Sequence, residues 1–130
     1  MSLLRTIKRL FGIERKLRLT TPDGFRDQLD GAYLTARMLL GRDHKGGSVI
    51  YRVLRGEQRS ASGDPCVFRN GKWQAGEASN RGRAEVYQID GRISTRAMVH
   101  EWCHLILFSH GIDHNKHHEI MRRAGVWMGA

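Results

Sequence analysis

Cysteine, proline and long apolar runs are all scarce in this chain. Only Cys66 and Cys103 occur, too few for a disulfide framework or a four-cysteine zinc site, and this fits a reducing, cytoplasmic setting. No stretch approaches the ~18 consecutive apolar residues of a transmembrane helix. The basic start of the chain has spaced apolar positions and no small-residue cleavage site after them, which argues against a secretory signal. Aromatic residues make up 8% and do not interleave with the basic ones, so no nucleic-acid-binding motif is present. What the chain does have is 130 residues, 40% hydrophobic, with 15 glycines. That suffices for one domain with a modest core and argues against wholesale disorder.

Charge is unevenly spread. The chain holds 22 basic and 13 acidic residues, a net +9. Residues 1–19 hold six basic side chains (Arg5, Lys8, Arg9, Arg15, Lys16, Arg18) against Glu14 alone, a local +5 that leaves +4 for the other 111. Leu3, Leu4, Ile7, Leu10 and Phe11 fall at helical spacing, which predicts a short basic amphipathic arm ahead of a domain over 20–130. Three roles stay open for it: docking on the domain, contact with nucleic-acid phosphates, or a membrane surface or partner helix.

Along the rest of the chain, Thr21 as N-cap with Pro22 at the first helical position predicts a helix carrying Phe25, Leu29, Ala32, Tyr33, Ala36, Leu39 and Leu40, stopping at Gly41. Residues 49–54 alternate as a strand, 56–65 read as loop, and Cys66–Phe68 as a short strand. Asn70-Gly71 is a hairpin signal. Residues 74–82 read as polar, glycine-rich loop, and Arg83–Ile89 as a strand closed by Asp90-Gly91. A helix from Ser94 to Ser109, with Ser94 as N-cap and Gly111 as C-cap, precedes a last helix over Asn115–Ala124. The order, helices then strands then helices, predicts an α+β fold.

Six of the seven histidines lie between positions 100 and 118. Val99-His100-Glu101-Trp102-Cys103-His104 contains HExxH, for which chance gives only about 0.02 matches in such a chain. Residues i and i+4 share a helix face, so His100 and His104 can reach one ion while Glu101 reaches a water on it without being a ligand. A zinc ion there lowers the pKa of its water toward ~7 and polarises a carbonyl, and the glutamate carries the proton. Met98, Val99, Leu105, Ile106, Leu107 and Phe108 flank the motif, and a metal satisfies polar groups that burial would otherwise penalise. Cys103 and Trp102 read as core.

The third ligand is less determined. His110 is turned roughly 240° from His104 and lies ~9 Å along the axis, a poor position. His117 shares an inner stripe with Ile120, Met121 and Ala124 and leads; His114 is the alternate, with His118 or Glu119 behind it. The strand 83–89 is either a substrate-binding edge or an interior strand, and His114, His118 and Tyr87 are open as transition-state electrophiles.

Met98-Val-His-Glu-Trp-Cys-His104, His117 thirteen residues on, Met121 four further and the closing Met121-Arg-Arg-Ala-Gly125 together resemble an SprT-like zinc metallopeptidase domain. The resemblance spans 94–126; elsewhere only the order of elements agrees. It departs at His118, where the family usually has glycine, at Met121, where Phe or Trp is common, and in lacking a C-terminal zinc ribbon. It implies a gluzincin-like zincin domain with a small twisted sheet, Zn2+ on His100, His104 and His117, Glu101 as general base, and a protein or peptide substrate. Many members act on DNA-bound proteins, which the basic arm suits. The alternative is a non-catalytic zinc module of a nucleoprotein or virion assembly.

Overall fold

The computed structural model describes residues 17–129; the helix expected within the first dozen residues lies outside them. The elements are β1 (Leu17–Thr20), α1 (Arg26–Leu40), β2 (Gly47–Arg55), β3 (Gln58–Arg59), β4 (Pro65–Arg69), β5 (Lys72–Gln74), β6 (Gly76–Ser79), β7 (Arg83–Ile89), β8 (Arg92–Ile93), α2 (Thr95–Ser109) and α3 (His114–Arg123). The fold is α+β, as the order of elements implied.

The main sheet runs β1-β2-β7-β6, with β8 also on β7; β1, β2 and β7 are parallel, while β6 and β8 are antiparallel to β7. Parallel neighbours need a crossover, and α1 provides it between β1 and β2. β1 is a strand the sequence reading did not contain. It is four residues long, too short for alternation to register, yet Leu17 is buried and Arg18 exposed in the expected period of two. α1 starts four residues later than the Thr21-Pro22 signal suggested, because the chain first turns at Asp23-Gly24. Arg26 fixes that start: it donates to the Leu19 carbonyl at 3.1 Å and pairs with buried Asp30 at 3.1 Å.

Residues 74–82, read as loop, contain β6, and 56–65 contain the two-residue β3. β3, β4 and β5 form a small antiparallel sheet whose β4–β5 turn is Asn70-Gly71. Both turn residues have positive φ (54° and 77°), the geometry that matches a hairpin's twist and favours Asn-Gly. The strand 83–89 is interior, since β7 lies between β2 and β6. That removes the edge reading of 83–89 and leaves β6 at the edge of the sheet.

The core lies between the sheet and α1 and α2. Val49, Tyr51, Ala84 and Val86 point inward from β2 and β7 against Leu29, Tyr33, Met98, Trp102 and Ile106. Trp102 organises this layer. Its ring sits 4.9 Å from that of Tyr33 and 5.2 Å from that of Tyr51, and its indole N–H donates to the Leu29 carbonyl at 2.8 Å. Tyr51 in turn donates to the Met98 carbonyl at 3.0 Å. Trp102, inside the HExxH turn, thereby ties α2 to both α1 and β2. Among the described residues no helix is long and apolar enough to cross a membrane.

Candidate metal centre

α2 begins as the sequence indicated: the Ser94 hydroxyl accepts the Ala97 N–H at 3.2 Å. A second fastening comes from outside the helix. Arg96 donates to both carboxylate oxygens of Asp64, at 3.1 and 2.8 Å, linking the first turn of α2 to the start of β4. Burial raises the Asp64 pKa, but hydrogen bonds from Arg96, Ser94 and Ser62 and the Arg96 charge outweigh it, leaving the carboxyl below its ordinary 3.8.

His100 and His104 lie one turn apart with their Nε2 atoms 3.2 Å from each other, and His118 of α3 brings its own Nε2 to 3.3 Å from that of His104. One ligand atom from each of these three imidazoles lies within 4.8 Å of the others, close enough to hold a single metal ion. Lone pairs this close repel unless a proton or a cation lies between them, so the spacing suits a cation.

Neighbouring backbone carbonyls set the tautomers. The His100 Nδ1–H donates to the Trp127 carbonyl at 2.8 Å, leaving the Nε2 lone pair facing the cluster. His117 Nε2–H donates to the Ile112 carbonyl at 2.8 Å, so its Nδ1 can only accept, and His104 Nδ1 lies 2.9 Å from it. His104 therefore donates from Nδ1 and keeps a lone pair on Nε2. All of these rings are held neutral. Burial, then the neighbouring imidazoles, lower His104 to about 2, and burial leads the lowering in His100, His117 and His118 as well.

The three imidazoles within metal-binding reach include His118, and not His117, which the sequence favoured as third ligand. His117 faces inward as its stripe required and is fully buried, but inward on α3 means the α2–α3 interface. The open side of His104 faces one residue further round, where His118 stands. A helical stripe identifies the residue that meets the core; a site on the rim of the core takes its neighbour. His114 lines the same cavity without joining the group of three, and its ring centroid is 5.3 Å from that of His104. His110 is occupied elsewhere, bonded to the Asp43 carbonyl at 2.8 Å. Glu119 pairs with Arg122 and Arg123 on the outer face of α3.

Comparisons with protein-family models, with curated proteins and with solved structures found no match to this chain.

Glu101 completes that geometry. It is 6% exposed, lines the same cavity of about 370 Å³, and accepts no hydrogen bond from the described residues. Burial, followed by the charges of Glu77 and Glu85, pushes its pKa up to about 8; a bound dication would oppose that shift. What holds it is packing against β6. A Cβ added at Gly76 would lie 2.7 Å from Glu101 Oε2 and 2.8 Å from its Cγ, so only glycine lets the strand pass this close. Gly76 is a site residue the sequence reading missed, since a lone glycine in a polar segment reads as loop. Cys103 and Trp102 are core, both with no exposed surface, and burial with the Glu101 charge raises the Cys103 thiol to about 12. Tyr87 does not enter the cavity: it lies on the other face of β7 and donates to Glu85 at 2.9 Å, beneath Arg69.

Proposed function

We propose that this chain is a zinc-dependent endopeptidase in which His100, His104 and His118 hold the metal and Glu101 is the general base. The observation that carries the reading is the combination of three neutral imidazoles with one adjacent, unbonded carboxylate on an open cavity. A structural zinc is closed by a fourth protein ligand, whereas a catalytic one keeps a position free; three ligands with a separate glutamate fit the second pattern. Nitrogen donors of this kind suit zinc among the common metals.

When bound, zinc would supply Lewis acidity, acidifying a water and polarising the scissile carbonyl. The chain's own residues do the rest. His117 and the Trp127 carbonyl fix the ligand rings, so little reorganisation accompanies binding. Glu101, left without a hydrogen bond and fixed against Gly76, takes a proton and later delivers it to the leaving amine. β6 pairs on one side with β7 and is the last strand of the sheet, so its free edge offers backbone groups to an extended peptide running past Glu101. The zincin character and the SprT-like resemblance belong to this proposal, with the third ligand moved from His117 to His118. The +5 charge of residues 1–19 supports substrates held on a nucleic acid.

The test separates metal from chemistry. Wild type purified without chelator should carry one zinc per chain and cleave casein. Glu101→Gln should keep the zinc and lose roughly 10²–10⁴-fold of the rate. Zinc-loaded wild type that cleaves no protein or peptide would refute the enzymatic reading and favour a structural metal.

A further inference from the structure

Beyond the metal centre, β6 and α2 continue side by side and enclose a second cavity of about 310 Å³. Ser79, at the end of β6, and Phe108 and Ser109, one turn past His104, form two of its walls; His44, Ser48 and Arg81 form others. Ser79 is three residues from Gly76, so at ~3.3 Å per residue the cavity opens about 10 Å along the strand from Glu101. It is reached by the same extended chain that the free edge of β6 would hold.

Its chemistry differs from that of the metal centre. No acidic residue lines it. Arg81 stands at its rim and makes no ion pair among the described residues, and Arg18 reaches Ser48 there at 3.4 Å. His44 is 6% exposed. Its Nδ1 accepts the Gly46 N–H at 2.9 Å, which places the ring proton on Nε2. Its backbone N–H is already given to Tyr33 at 3.0 Å. The Nε2–H finds no acceptor among the described residues and is not one of the solvent-shielded polar atoms, so it is open to a ligand in the cavity that His44 lines. An imidazole N–H open to the cavity, a guanidinium with no ion pair among the described residues, and serine hydroxyls in an acid-free lining suit an anion.

We propose that this cavity is a specificity subsite that takes the carboxylate of a substrate Asp or Glu about three residues from the scissile bond, with His44 Nε2–H and the Arg81 guanidinium as donors. The inference rests on the peptidase reading and names its substrate class: extended peptides bearing an acidic side chain at one fixed register.

Binding tests it without turnover. Zinc-loaded Glu101→Gln protein is titrated with short fluorescein-labelled peptides, identical except for one Glu walked along a Gln background. One register should bind about tenfold tighter with Glu than with Gln, a typical effect of a charge-assisted hydrogen bond. Arg81→Ala should remove most of that preference. His44→Asn, which keeps an acceptor for the Gly46 N–H, should reduce it. Equal binding of Glu and Gln at every register, or a preference unchanged in both variants, overturns the subsite. A phosphoserine peptide that binds more than about tenfold tighter than its Glu counterpart overturns the carboxylate assignment. If no peptide binds at all, the peptidase reading fails, and the cavity is then read with glutarate alone. A shift of the His44 ring resonances in wild type that is absent in Arg81→Ala retains an anion site, and no shift overturns that too.

Discussion

Glu101 and Gly76 constrain each other directly, and the consequence is testable by one methyl group. Gly76→Ala places a carbon 2.7 Å from Glu101 Oε2, so the carboxylate has to move. Displacement of a reacting group by about 1 Å can cost on the order of 10² in rate. The expected outcome is a kcat lowered by about that factor with zinc stoichiometry unchanged, measured by peptide cleavage and elemental analysis on the same sample. The histidines give a sharper contrast. His117→Phe keeps volume but removes the acceptor for His104 Nδ1–H, and should weaken zinc binding by about 10–100-fold, as expected of a residue that orients a ligand. His118→Ala removes a ligand and should weaken it further; a competition titration with a chromophoric chelator ranks the two. At this scale the sequence was informative about His100, Glu101 and His104 because four-residue spacing is a geometric statement about one helix. It was less so about His118 and Gly76, whose roles depend on how two other elements meet α2.

The element that matters most is α2, and its position is set by neighbours as much as by its own sequence. Trp102 joins it to α1 and β2, and Arg96 joins its first turn to Asp64. Trp102→Ala should cost about 3–5 kcal/mol, the usual range for emptying a large buried aromatic site, seen as a lower midpoint in urea. For the Asp64 pair the expectation carries a sign. The folded-state pKa lies below 3.8, so the pair contributes stability above the unfolded value and loses it as pH falls through the lower folded one. Asp64→Asn should destabilise the protein by about 1 kcal/mol near neutral pH, a modest figure because Arg96 is 40% exposed. As pH falls through that lowered folded-state pKa the variant and wild type should converge, as thermal melts across pH would record. The helices, β2 and the Asn70-Gly71 hairpin were legible because periodicity and turn chemistry are local. β1 and β6 were not: each has four residues, β1 pairs with a strand about thirty residues on, and β6, although a short turn joins it to β7, reads Gly-Glu-Ala-Ser with no apolar alternation.

For the whole molecule, the metal is expected to contribute to stability as well as to chemistry. Zinc at about 100 times its Kd adds roughly 2.7 kcal/mol to a protein that binds it only when folded. In a domain of this size that corresponds to a rise in Tm of roughly 10 °C. Chelation should reverse the rise, and zinc should restore it. The charge distribution makes a separate demand. If the six basic residues of the first nineteen all meet phosphates, log affinity for DNA should fall with log salt at a slope of roughly −5; a flat dependence removes nucleic acid from the account. Neither property is visible in the fold alone, since the α+β architecture would be compatible with many sites and the proposed chemistry rests on the rim of α2.

The most direct measurement is zinc stoichiometry in wild type and His118→Ala, purified identically without chelator. One zinc per chain in wild type and little or none in the variant is the expected result. A wild type that neither carries nor takes up a divalent metal, or a His118→Ala protein that holds zinc as tightly as wild type, would contradict the account.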